Sequence, residues 1–164
     1  MKVELTVCYL ATVVVLLAAT CIAAAEEFSQ SLPKIEAALG SSESTLAGID
    51  VSVLSVQYRE GKLIDNSRNR ALKYVSMVRT SLRGVRSEAR IYDLLFLVTS
   101  LRGLNSEIES LISRLQESRT PKALAWADAF SNVADSLSDA TIRFEREAFQ
   151  FTERVDSRLA NCPR

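Results

Sequence analysis

The stretch TSLRGVRSEARIYDLLFLVTSLRGLNSE, residues 80–107, decides between a fold of three helices and one of four. It contains two nine-residue runs, TSLRGVRSE at 80–88 and TSLRGLNSE at 99–107, identical at seven positions and offset by 19 residues. The likeness continues outward as a pattern of apolar positions. Val75, Val78, Leu82, Val85, Ala89, Tyr92 and Phe96 recur at intervals of three and four, the spacing of one helix face. Leu94, Leu97, Leu101, Leu104, Ile108, Leu111 and Leu115 repeat the scheme. At about 100° per residue, 19 steps turn the second stripe by about 100° from the first on an uninterrupted helix. The two stripes then serve two different neighbours.

No turn sequence separates Arg86 from Glu107, so the pattern favours one long central helix over about residues 66–118. The alternative is a break near Gly103, where Ser106 and Glu109 match a capping box and a four-helix arrangement results. Gly84 with Ser87 is the poorer break, because Arg90 stands where the acid of the box belongs.

On the N-terminal side, Phe28, Leu32, Ile35, Leu39, Ser42, Leu46, Ile49, Val53 and Val56 predict an amphipathic helix of about 30 residues, weakened at Gly40-Ser41-Ser42. Gly61 reads as its stop and Asp65-Asn66-Ser67 as caps for the next helix. On the C-terminal side, Thr120-Pro121 is an N-cap followed by proline at the first helical position. Trp126, Phe130, Val133, Leu137, Ala140, Phe144, Ala148, Phe151, Val155 and Leu159 then line one face. The expected fold is all-α: an elongated antiparallel bundle of three to four long amphipathic helices.

The first 25 residues stand apart. Lys2 precedes an apolar run, and Ala23-Ala24-Ala25 meets Glu26-Glu27, the pattern of a secretory signal cleaved between Ala25 and Glu26. Residues 26–164 are then a single helical-bundle domain, exported to the periplasm or secreted. Residues 5–25 are also long enough to span a bilayer, and Ala18-Ala19-Thr20-Cys21 loosely matches a lipidation box. Membrane attachment is therefore expected only where that segment is retained or lipidated at Cys21. Of the three cysteines only Cys162 lies beyond the leader, so no internal disulfide staples the domain. Cys162 is read as an inert thiol in the C-terminal tail, with an intermolecular disulfide as the alternative.

The chain has no histidine, which removes the usual general base and the commonest zinc and haem ligand. No P-loop, dinucleotide or nucleophile-elbow motif is present, and the Glu107/Glu109 and Glu145/Glu147 pairs point to different sides of a helix. The sequence thus predicts no catalytic, cofactor-binding or metal-binding residues, no cofactor, and a protein that is not an enzyme. Twenty basic and twenty acidic side chains cancel, so no global field steers a polyanion and no nucleic acid is expected as partner.

Charge is uneven locally. Residues 59–90 hold nine basic side chains against three acidic ones. Arg79, Arg83, Arg86 and Arg90 are spaced as one helical ridge, a candidate site for anions or for interhelical ion pairs. Pairing with the last helix matches Arg83 to Asp156 and Arg86 to Glu153. Trp126 is read as core rather than as a ligand platform. The functional expectation is an exported, non-catalytic interaction, adaptor or envelope-associated structural module, with a protein partner or self-association. The alternative is binding of anionic polymers or membrane surfaces through the arginine ridge.

Overall fold

The computed structural model describes residues 28–54, 58–87 and 90–160. Among the described residues four α-helices pack against one another: α1 Ser31–Ala47, α2 Tyr58–Ser87, α3 Ile91–Ser118 and α4 Pro121–Ala160. A short 3-10 turn, Val51–Val53, lies between α1 and α2, and no strand occurs among the described residues. The expected leader, its cleavage point and Cys162 lie outside the described residues.

Each helix packs against its sequence neighbours, and α4 closes the ring against α1. Contacts run antiparallel throughout. Glu36 and Glu43 of α1 meet Arg86 and Arg79 of α2, and Arg70 of α2 meets Glu107 of α3. Arg102 and Asn105 of α3 meet Glu145 and Thr141 of α4. The result is an up-down-up-down bundle. With 40 residues, α4 is about 60 Å long and spans it from end to end.

The predicted central helix is two helices. The chain breaks between Ser87 and Ile91, and Gly103, the position favoured for a break, lies inside α3. Ser87 Oγ donates to the Gly84 carbonyl (3.0 Å), an alternative partner for the last turn of α2. Arg90 adopts an extended conformation and starts α3, its carbonyl accepting from the Asp93 and Leu94 amides. Breaking a helix forfeits a few hydrogen bonds worth about 1 kcal/mol each. Folding back buries Val75, Val78, Leu82 and Val85 beside Leu94, Leu97, Leu101 and Leu104, each worth about 1.5–3 kcal/mol. Burial wins by a wide margin.

The predicted 30-residue first helix is also shorter. It ends at Ala47, and the chain runs on through Gly48 to a 3-10 turn capped by Asp50. The Asp50 carboxylate accepts from Ser52 Oγ (2.5 Å) and from the Ser52 amide (3.0 Å), and these bonds, with Lys122 nearby, hold its pKa below the ordinary carboxylate value. Ile49 and Leu54 are buried, so the connection itself covers the end of the bundle that α1 is too short to reach. Gly61 and Asp65-Asn66-Ser67, read as stop and caps, lie inside α2. Burial of Ile64, Ser67 and Ala71 along this turn outweighs the roughly 1 kcal/mol that a glycine costs a helix.

At α4 the local signal and the structure agree. Thr120 Oγ1 accepts from the Ala123 amide at 3.3 Å, and Pro121 is the first helical residue. Just before it, Arg119 takes the left-handed conformation (φ 52°) that ends α3 and turns the chain.

The two TSLRG runs fall on α2 and α3 and mark equivalent places in that hairpin. A Cβ on Gly84 would lie 2.9 Å from Asp93 Oδ1, and one on Gly103 would lie 2.7 Å from Tyr74 Cζ. Asp93 stands 19 residues after Tyr74, as Gly103 does after Gly84. The contacts are therefore related by a local pseudo-twofold axis, each helix offering a glycine to the other. Leu82 and Leu101 are buried as expected. Ser81 and Ser100 are buried too, although neither belongs to the apolar series. Ser81 Oγ donates to the Met77 carbonyl (2.8 Å), whereas Ser100 Oγ makes no hydrogen bond among the described residues.

Candidate functional site

The four arginines singled out by spacing do not form one continuous ridge. Arg79, Arg83 and Arg86 line the outer side of α2 against α1, while Arg90 lies beyond the helix in the turn to α3. Arg86 Nη2 donates to Glu36 Oε2 at 2.7 Å, and Arg79 pairs with Glu43. The acids that meet the ridge thus belong to α1, not to α4, where Glu153 was the expected partner. Asp156, the expected partner of Arg83, has a side chain outside the described residues. Arg90 donates to the Tyr92 hydroxyl and lies 5.5 Å from its ring centroid, and the hydrogen bond is the main influence raising its pKa.

These arginines border a cleft of about 300 Å³ between α1 and α2, with Leu39, Gly40 and Leu82 as its floor and Glu36 on its rim. Open space surrounds the position a Cβ would take on Gly40, which keeps the cleft wide. Each ion pair leaves its guanidinium half exposed. Solvent screening limits such pairs to about 0–1 kcal/mol. Arg79→Ser with Arg86→Ser should therefore lower unfolding free energy by less than about 2 kcal/mol in urea titration. Retention on heparin resin should not change; a large loss of retention would restore the anion-binding reading of the ridge. Arg102 and Glu145, bidentate at 2.6 and 2.8 Å, form the best-made ion pair, and Glu145 raises the Arg102 pKa.

Among the described residues no group of three or more acidic or thiol side chains is placed to hold a metal ion. Trp126 packs partly buried against the core, with the Lys122 ammonium 5.5 Å from its ring centroid. Tyr74 lies under Gly103 and Tyr92 is exposed.

A second surface was not singled out from the sequence as a site. Ile91, Tyr92, Leu95 and Phe96, the first two turns of α3, are 41–61% exposed, and Phe149 on adjacent α4 is 64% exposed. Its origin lies in the break between Ser87 and Ile91. The stripe from Val75 to Val85 is buried, but its continuation, Tyr92 and Phe96, falls after the turn. There the core phase restarts at Leu94, leaving Tyr92 and Phe96 on the outer face. The sequence signal was present as seven apolar positions in one series; the turn decided which of them reach the core.

The described chain is an all-α four-helix bundle with an arginine-lined cleft on one side and an apolar face at one end. Compared with known proteins, it matches no family model, no curated protein sequence and no solved structure.

Proposed function

We propose that the protein is an exported, non-catalytic helical-bundle module that works by binding, as an interaction, adaptor or envelope-associated structural element. The observation that carries this reading is the group of exposed apolar side chains Ile91, Tyr92, Leu95, Phe96 and Phe149, where Leu63, Leu124 and Ile142 are exposed singly on other parts of the helices. Large contiguous apolar surface is retained where something covers it. The cleft supports the same reading, since two of its three arginines are engaged by Glu36 and Glu43 and shape a surface more than a reaction centre.

Export rests on the leader, and its test is direct. The full chain, tagged at its C-terminus and expressed in a bacterial host, should be recovered outside the cytoplasm with a mass that begins at Glu26. Full-length chain confined to the cytoplasm would overturn the reading.

A further inference from the structure

We infer that the apolar face at the start of α3 docks on a lipid bilayer surface, so that the bundle sits with this end against the membrane. The inference rests on the export reading above and names the partner of that binding face. Two observations place the bilayer there. The first is where the leader joins the fold. Phe28 is 1% exposed and packs against Phe144 and Phe151 of α4, with ring centroids 5.3 and 5.6 Å apart. Phe149 lies between those two residues in α4, and α3 starts at the same end because it runs antiparallel to α4. The exposed face and the entry of the chain thus share one end of the bundle.

Seven residue steps lead from Cys21 to Phe28, a reach of at most about 25 Å. Only a chain that keeps this segment, left uncut before Glu26 or lipidated at Cys21, is tethered to the membrane at this end. With the leader removed, the same face meets the bilayer as a peripheral one.

The second observation is the chemistry of the face. Aliphatic and aromatic side chains, Leu95, Ile91, Phe96 and Phe149, are joined by Tyr92, whose hydroxyl accepts from the Arg90 guanidinium. An apolar body with an aromatic and a basic group at its edge is the composition that settles at the headgroup boundary, about 5–10 Å deep. Among the described residues no helix is long and apolar enough to cross a membrane, so the bundle lies on the surface.

The test uses a tryptophan at each end. Trp126 lies near the start of α4, at the opposite end, and serves as the internal control. The full chain carrying Leu95→Trp with Trp126→Phe is mixed with vesicles of equal parts phosphatidylglycerol and phosphatidylcholine with brominated acyl chains. The indole introduced at position 95 should lose roughly half or more of its emission, and that of Trp126 in the unaltered chain almost none. Adding Phe149→Ser should weaken partitioning by about tenfold, with helix content and melting temperature preserved because this side chain is exposed. Unquenched emission at position 95, with or without dimers by light scattering, would overturn the inference; dimers would assign the face to a second copy of the chain. Compartment and N-terminal mass are read separately, so failure of export and failure of bilayer docking give different results.

Discussion

Phe144→Ala should lower the free energy of unfolding by about 3–5 kcal/mol, among the largest losses expected from a single truncation in this fold. Phe144 is fully buried on α4, and its ring packs against Phe28. Truncation removes transfer free energy and leaves a cavity that α4, held along its length by α3 and α1, is poorly placed to fill. A domain of this size is stable by only about 5–15 kcal/mol, so the variant should sit near the edge of folding. In urea, the midpoint should fall with little change in slope. Phe28→Ala should also be costly, and the double variant should cost less than the two losses combined, because the rings share one contact. Ile142→Ala, 52% exposed on the same helix, should change stability by less than about 0.5 kcal/mol. A Phe144 loss below that of Ile142 would mean this end of the bundle is not packed as described.

Gly103→Ala should destabilise by about 1–3 kcal/mol, against the sign that helix propensity alone predicts. On an exposed helix the exchange gains about 1 kcal/mol. Here the added methyl would lie 2.7 Å from Cζ and 2.8 Å from Cδ1 of Tyr74, atoms in the body of a rigid ring packed against the core. The two helices must then separate or the ring must leave its place. Gly84→Ala meets only the carboxylate of Asp93, a short side chain able to swing aside, so its effect should be near zero. In a Tyr74→Ala background, Gly103→Ala should become stabilising. Equal effects at both glycines, or no reversal in that background, would refute the close-approach account of the repeat.

Much of this architecture was legible in the chain itself. The 3-4 spacing of Val75 to Val85, Leu94 to Leu115 and Phe130 to Phe151 identified helical faces, and nearly all of those apolar residues are buried. Thr120-Pro121 marked the start of α4 because both its cues, a side-chain cap and a fixed φ, are local. The site was less legible. Spacing collected Arg79, Arg83, Arg86 and Arg90, but the acids that answer two of them lie on α1, 36 and 50 residues away.

What the sequence by itself determined was the all-α class and the faces of the helices, since periodicity follows from bonds and side chains a few residues apart. Only the tertiary structure decided where the chain turns. Residues 87–90 hold neither glycine nor proline, and the break there arises because two apolar stripes bury more surface by folding together than by lying along one rod. That same turn left Tyr92 and Phe96 outside the core, so the apolar face proposed to bind is a consequence of packing across the hairpin.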